Sequence, residues 1–333
     1  MADSIKRNKL EIEDYVRGVL DHNRMILGRA ITLAESNSRR HQDMAQELLK
    51  RLLPHTGNSV RIGITGPPGA GKSTLIESLG VFLCGLGYKV AVLAIDPSSS
   101  VSRGSILGDK TRMERLTQLD NSFIRPSPSG GTLGGVARKT RESMLICEAA
   151  GYDILLIETI GVGQSEVTVR SMVDYFMLVL LPGSGDELQG IKKGVVELAD
   201  ALVVNKADGD AKNRARITQM DYQKALNLLQ SPTEGWTPQV FTASAVRERG
   251  IADIWQNIVE FRDYTQERSI FESRRKNQML EWMESLIGES LRQMFYENEY
   301  INEALPEFRE KVASGELPPT LAVERLMRKF LGE

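Results

Sequence analysis

Apolar positions along this 333-residue chain change their spacing twice, and the changes mark three zones, 1–57, 58–263 and 264–333. In the first zone the spacing is helical. Ile26, Ala30, Leu33 and Ala34 share one face, and Met44, Leu48, Leu49, Leu52 and Leu53 share another. Pro54 and Gly57 then break the pattern. In the second zone short apolar runs alternate with helical stretches. The runs predict strands at Val60–Thr65, Lys89–Ile95, Ile154–Glu158, Tyr175–Leu181, Ala201–Asn205 and Gln239–Ala243, with a weaker one near Phe123. They are continuous rather than alternating, as expected of strands covered on both faces. Strand–helix alternation of this kind predicts an α/β fold with a doubly wound, mostly parallel sheet, flanked by helical extensions at both ends. In the third zone Leu280, Met283, Ile287, Leu291, Met294 and Phe295 recur at helical spacing. Leu321, Leu326 and Phe330 follow Pro318-Pro319 in a second stripe. The tail can pack back on its own domain or form a dimer or partner surface, and the second is expected because these stripes exceed what one domain flank needs.

Composition narrows the setting without changing the fold. The chain is 41% hydrophobic and 26% charged, as ordinary globular proteins are. No apolar run approaches the ~20 residues needed to cross a bilayer. The opening Met1-Ala2-Asp3-Ser4-Ile5-Lys6 lacks the apolar core of a signal peptide, so a cytoplasmic protein with no membrane association is expected. A net charge of −2 gives a nucleic-acid partner no electrostatic support. Cys84 and Cys147 sit in apolar helical contexts and read as buried free thiols.

The chemistry lies at the ends of the strand runs. Gly66-Pro67-Pro68-Gly69-Ala70-Gly71-Lys72-Ser73 matches G-x-x-x-x-G-K-[ST] between a strand and a helix. Its glycines allow a tight backbone whose N–H groups, with the helix N-terminus, face phosphate oxygens. Gly66 to Thr74 are the expected phosphate-binding residues, with Lys72 bridging the β- and γ-phosphates and the Ser73 hydroxyl on Mg²⁺. That motif specifies a nucleoside triphosphate without naming the base. Asn205-Lys206-Ala207-Asp208, an N-K-x-D at a strand end, names it as guanine. The Asp208 carboxylate accepts from guanine N1–H and the 2-amino group, and adenine would leave it unpaired. Asn205 braces the loop or touches N7, and the Lys206 stem covers the base. Ser244-Ala245, after the next strand, is placed to meet O6. GTP and GDP are therefore the expected ligands.

Two further strand ends face the γ-phosphate and metal. Glu158-Thr159-Ile160-Gly161 is E-x-x-G, where Glu158 would hold a Mg²⁺-bound water and the Gly161 N–H would meet the γ-phosphate. Gly161 thereby couples nucleotide state to the loop 162–166, which carries Gln164. Asp96, at the end of the Lys89–Ile95 run, reads as a Mg²⁺ partner and switch residue. Gln164 does not directly follow Gly161, so no water-orienting glutamine stands there and slow intrinsic hydrolysis is expected.

Longer runs resemble one family. Asp96–Ser99, Gly104–Met113 (containing Asp109-Lys110-Thr111-Arg112-Met113), Phe123–Pro126, Gly130–Gly135, Glu158–Glu166 and Gly185–Gly194 are similar to the MeaB/ArgK/MMAA group of SIMIBI-class GTPases. So is Ala30–Ser36, and the likeness extends to about Phe261, with the tail alike in character more than in motif. The resemblance implies a GTPase chaperone of an adenosylcobalamin-dependent acyl-CoA mutase, typically methylmalonyl-CoA mutase, that gates cofactor loading and protects or reactivates it. It implies a homodimer formed by the C-terminal extension. It also places Asp109 beside Asp96 and Glu158 in the Mg²⁺ environment. Residues 186–193, with Asp186, Gln189, Lys192 and Lys193, would be an extra switch through which the mutase stimulates hydrolysis. A metal-insertion GTPase, a protein kinase acting on amino-acid transport proteins and a non-hydrolysing scaffold are the rival readings. The scattered His22, His41 and His55 and the lack of C-x-x-C disfavour the first. N-K-x-D favours GTP over ATP and so disfavours the second.

Overall fold

All seven apolar runs form strands. The computed structural model describes residues 10–95, 113–126, 133–159, 165–184 and 193–332. Within them lie β1 (Val60–Thr65), β2 (Val90–Ile95), β3 (Ser122–Arg125), β4 (Ile154–Thr159), β5 (Tyr175–Leu180), β6 (Ala201–Val204) and β7 (Gln239–Thr242). They make one sheet in the order β3-β2-β4-β1-β5-β6-β7, every pairing parallel. The phosphate-loop strand is thus central, between β4 and β5.

Alternation along each strand splits the apolar residues between two cores, which is why the runs are apolar throughout. Ile62, Ile64, Leu156, Met177 and Val179 pack with Leu75, Leu79 and Leu83 of helix Lys72–Gly85 and with Ile254, Ile258 and Phe261 of helix Ile251–Glu267. Leu155, Ile157, Phe176, Leu178 and Leu202 face the other core, with Ile146 and Cys147 of helix Leu133–Ala149. The N-terminal helices Ile12–Leu20, Arg24–Ala34 and Arg39–Leu52 join this second core through Val19, Leu27, Ile31, Leu48 and Leu52. The expected faces are shifted slightly. Leu27 and Ile31 are wholly buried where Ile26 is only partly so, and Leu53, past the helix end, is exposed. Asn23 caps the second of these helices by accepting from the Met25 and Ile26 N–H groups at 3.1 Å.

The amino ends of the strands are pinned by carboxylates. Asp153, Asp174 and Asp200 each stand one residue before a strand, and each accepts a backbone N–H from a neighbouring chain segment. The donors are Lys89 at 2.7 Å, Arg61 at 2.8 Å and Phe176 at 2.9 Å. Two of the three are buried and carry arginine partners, Arg275 on Asp174 (2.8 and 2.7 Å) and Arg170 on Asp200 (2.9 and 3.3 Å). Beside them Arg61 makes a two-point pair with Glu148 at 2.7 and 2.9 Å, and Ser59 donates to the same carboxylate at 2.5 Å. Such forked pairs fix geometry as well as charge.

Met1–Arg275 forms one compact unit and Lys276–Glu333 a second. The second unit holds most of helix Ile270–Glu297, then Glu299–Ala313 and Pro319–Leu331, around a small cluster of Ile301, Ala304 and Leu326. Leu280, Met283, Ile287, Leu291 and Met294 are 45–60% exposed along the long helix. Phe295 instead packs against the cluster. Among the described residues no helix is long and apolar enough to cross a membrane.

The Arg61–Glu148 pair generates a stability prediction. Burial would raise the Glu148 pKa, but hydrogen bonds and charge from Arg61, with Ser59 and Arg275, hold it below its ordinary 4.5. A carboxylate with a lowered folded pKa stabilises the fold above its unfolded value. That contribution is lost as pH falls through the folded value. Glu148→Gln removes the hydrogen-bonded countercharge of the buried Arg61, leaving only the more distant Asp174, and is expected to cost about 3–5 kcal/mol at neutral pH. The gap from the parent should narrow under acid, as urea unfolding at neutral and acidic pH will check.

Candidate phosphate- and guanine-binding site

Among the described residues, Gly66–Thr74, Glu158, Asn205–Asp208 and Ser244–Ala245 come together at the carboxyl ends of β1, β4 and β6 and in the turn after β7. Between Thr65 and Lys72 the chain folds so closely on its neighbours that two positions exclude a side chain. Gly66 has φ 148°, and a Cβ there would lie 2.2 Å from the Val179 carbonyl oxygen of β5. Gly71 has φ 83°, and its Cβ would lie 2.7 Å from Asn205 Nδ2. Only glycine meets both demands. Ala70 is wholly buried, Pro67 partly so, and Pro68 and Gly69 face solvent. The helix Lys72–Gly85 starts immediately afterwards, with Ser73 and Thr74 in its first turn and its free N–H groups at the loop.

Lys72 is 8% exposed, and its ammonium donates to the carbonyls of Gly66 (2.8 Å) and Pro67 (3.2 Å). Burial lowers its pKa, while the charges of Glu158 and Glu166 pull the other way. A buried ammonium held by neutral carbonyls is poised for a stronger acceptor, and phosphate oxygens are such acceptors. Ser73 Oγ donates to Glu158 Oε1 at 2.8 Å. Parallel pairing places Glu158 opposite Ile64, within reach of the helix start. A hydroxyl and a carboxylate side by side are hard oxygen donors, and they suit Mg²⁺. One residue further on, the wholly buried Thr159 donates from its hydroxyl to Thr65 Oγ1 at 2.7 Å, a link that the sequence did not announce.

The base side is built around Asn205. Its Nδ2 donates to the carbonyls of Ala70 (3.0 Å) and Gly71 (3.3 Å), while Oδ1 accepts from the Ala245 N–H at 3.2 Å. Of the two roles expected for Asn205, the bracing one is therefore present. Lys206 sits in the left-handed region at φ 58°, and its stem lies beside Gly71, 3.7 Å from where a Cβ there would be. Asp208, half-buried, accepts from the Ser244 hydroxyl through one oxygen, which restrains the carboxylate. The other oxygen is not used by that bond. The turn holding Ser244 and Ala245 is tied back to the phosphate-loop helix by Ser78, whose hydroxyl donates to the Ala245 carbonyl at 2.7 Å.

Asp96, Asp109, Gly161, Gln164, Asp186, Gln189 and Lys192 lie outside the described residues. Lys193 opens the short helix Lys193–Val196, but its side chain is likewise outside them. The chain entering that segment is anchored: Gly183 N–H donates to Thr218 Oγ1 at 2.9 Å, and the Tyr222 hydroxyl donates to the Ser184 carbonyl at 3.4 Å. Both anchors are buried on helix Lys212–Leu226.

Comparison with known proteins agrees with this geometry. The family model described as "Methylmalonyl Co-A mutase-associated GTPase MeaB" matches residues 27–300. The chain is 42% identical over 319 residues to the GTPase ArgK of Escherichia coli (strain K12), covering 96% of each chain. It is 45% identical over 323 residues to the Mus musculus protein named methylmalonic aciduria type A homolog, mitochondrial, covering 94% of this chain and 78% of that one. A crystal structure of an LAO/AO transport system kinase matches with a TM-score of 0.78 at 36% identity, covering 97% of this chain and 98% of that one.

The environment of Lys72 separates binding from folding. Its ammonium is desolvated, so removing it should cost the fold little while depriving the phosphates of their cation. Lys72→Met is expected to keep or raise the melting temperature and to weaken GTP binding by at least about a hundredfold. Thermal unfolding and GTP titration of the same preparation will show whether the two separate.

Proposed function

This chain belongs to the MeaB family of GTPases, and we propose that it uses GTP to chaperone an adenosylcobalamin-dependent acyl-CoA mutase, in the first instance methylmalonyl-CoA mutase. In this role it gates cofactor loading and protects or reactivates the mutase. The family match over residues 27–300, whose description couples the GTPase to that mutase, carries the reading. The 45% identity to a mitochondrial protein named for methylmalonic aciduria supports it.

The chain's own contribution to hydrolysis is positioning and charge stabilisation. The backbone of Gly66–Thr74 cradles the phosphates. Lys72 exchanges the Gly66 and Pro67 carbonyls for β- and γ-phosphate oxygens. Asp208, oriented by Ser244, accepts from the guanine N1–H and 2-amino group, with Asn205, Lys206 and Ala245 completing the base site. Ser73 and Glu158 hold Mg²⁺, with Asp96 and Asp109 in its surroundings; the ion supplies positive charge to the phosphate oxygens. Gly161 and Gln164 respond to the γ-phosphate, and residues 186–193, with Asp186, Gln189, Lys192 and Lys193, pass the presence of the mutase to the site. The exposed stripe from Leu280 to Met294 is the proposed homodimer surface.

The likeness to an LAO/AO transport system kinase favours a second reading, a kinase acting on amino-acid transport proteins. Transfer of labelled γ-phosphate to another protein would establish it, and release as free phosphate supports the GTPase chaperone. A metal-insertion role is disfavoured by the two thiols. Both are buried, and burial raises the Cys84 pKa to about 11 and that of Cys147 further still.

Two outcomes are expected. Free turnover should fall well below the order of 10 s⁻¹ typical of metabolic enzymes. A matching mutase should raise phosphate release at least about tenfold, and lack of stimulation by any cobalamin-dependent mutase would count heavily against the chaperone role. Separately, Asp208→Asn should weaken GTP and admit xanthosine triphosphate, whose 2-oxo group accepts from the new amide. Competition titrations with the two nucleotides will measure the exchange of preference.

A further inference from the structure

The phosphate loop and the base-side turn are joined by a route that the sequence motifs do not contain. Ser78 lies in helix Lys72–Gly85 and is 5% exposed. A serine hydroxyl inside a helix commonly bonds back to its own helix. This one donates instead to the Ala245 carbonyl, 167 positions away, at 2.7 Å. That carbonyl belongs to the Ala245–Val246 peptide. The peptide on the other side of Ala245 is held through its N–H, which donates to Asn205 Oδ1 at 3.2 Å. Both peptide planes flanking Ala245 are therefore fixed from outside the turn.

The two restraints have a common base. Asn205 is itself bonded to the carbonyls of Ala70 and Gly71, and Ser78 sits in the helix that these residues open. Ser244 also ties the turn to Asp208, and Glu248 pairs with Arg115 at 2.6 Å; within itself the turn is closed. Ser244 and Arg249 exchange both backbone hydrogen bonds at 3.1 Å, and a Cβ on Gly250 would lie 2.4 Å from the Thr242 carbonyl oxygen. A turn bonded in this way moves as a body unless something outside holds it.

We propose that Ser78 is a positioning residue for nucleotide specificity: through Ala245 it fixes the base-side turn at a set distance from the phosphate loop. This rests on the GTPase reading of the site. A nucleotide is held at both ends, and the base end adds affinity only to the extent that its pocket is already in place. Removing the hydroxyl leaves the Ala245 carbonyl only the turn's own Glu248 N–H, at 3.3 Å, and unties the turn from the phosphate-loop helix. A ligand that touches only the phosphate loop should not register the loss.

The test compares the full-length parent with Ser78→Ala and Ser78→Thr against GDP, IDP (which lacks the 2-amino group) and tripolyphosphate, a probe of the phosphate loop alone. For Ser78→Ala the Kd for GDP should rise about tenfold and the preference for GDP over IDP should shrink, while tripolyphosphate stays within about twofold. Ser78→Thr, which keeps the hydroxyl, should restore GDP affinity. Equal weakening of GDP and tripolyphosphate, or unchanged GDP affinity and preference, overturns the proposal. Should Ser78→Ala fail to fold, Ser78→Cys, nearly isosteric and a weak donor, gives the same comparison. The parent's preference for GDP over ADP is measured alongside. Its absence would remove the guanine reading itself, whereas a parent that prefers guanine with an indifferent Ser78→Ala removes only the role of Ser78.

Discussion

Everything at this site hangs on the register of parallel strands. Glu158 reaches Ser73 because β4 pairs with β1 so that Glu158 lies opposite Ile64. A slip of one residue would turn Glu158 to the other face of the sheet and exchange the contents of the two cores. Parallel pairing does not itself choose a register, and strands apolar on both faces give only a weak preference through their pattern. The choice is made at the far ends. Asp174 and Asp200, buried just before β5 and β6, each take one particular N–H from β1 and β5 and are neutralised by Arg275 and Arg170. A shifted strand would break a charge-assisted hydrogen bond and strand a buried carboxylate, a penalty of several kcal/mol. Electrostatics at the amino ends of β1, β5 and β6 thus sets geometry at their carboxyl ends, four to six residues away along each strand.

The same fixed frame holds groups that would relax if they were free. Gly66 brings the backbone against the Val179 carbonyl, and Lys72 keeps an ammonium among carbonyls where burial disfavours its charge. Neither arrangement is one a chain adopts for stability. Both become favourable when phosphate oxygens supply acceptors for the lysine and the loop amides. Local cost at a functional site, tolerated because the sheet around it is over-determined, is the expected pattern.

Much of this was legible in the sequence, for identifiable reasons. The strands showed because they are apolar on both faces. The phosphate loop and the Asn205–Asp208 loop showed because each is contiguous and its residue types have few other uses at a strand end. What escaped was whatever depends on distant pairs of common residues. A serine in a helix gives no sign that it reaches Ala245, nor do two threonines ending strands that they are paired. Asp153, Asp174 and Asp200 resemble ordinary loop residues until the strand order places each beside a neighbour's N–H. The expected face of the second N-terminal helix is buried at Ala30, Leu33 and Ala34, and Leu27 and Ile31 extend it; Ile26 and Leu27 are equally apolar, and only tertiary packing decides that Leu27 is the deeper.

The links from the phosphate loop to β4 bear on how such a protein could act as a timer rather than a metabolic catalyst. A nucleotide can shift a conformational equilibrium only as far as it binds the two states differently. That difference has to reach the chain beyond the site through groups whose positions are coupled. Ser73 to Glu158 and Thr159 to Thr65 form two adjacent rungs, at 2.8 and 2.7 Å, between the phosphate-loop side and the end of β4. One rung is made of groups suited to a metal, and under the proposed function it would change partners when nucleotide and cation enter. The other is buried among its neighbours and stays. The end of β4 is thus held by one bond that nucleotide and cation would exchange under the proposed function and by one that they would leave in place, while the Asp208 side is braced separately through Asn205.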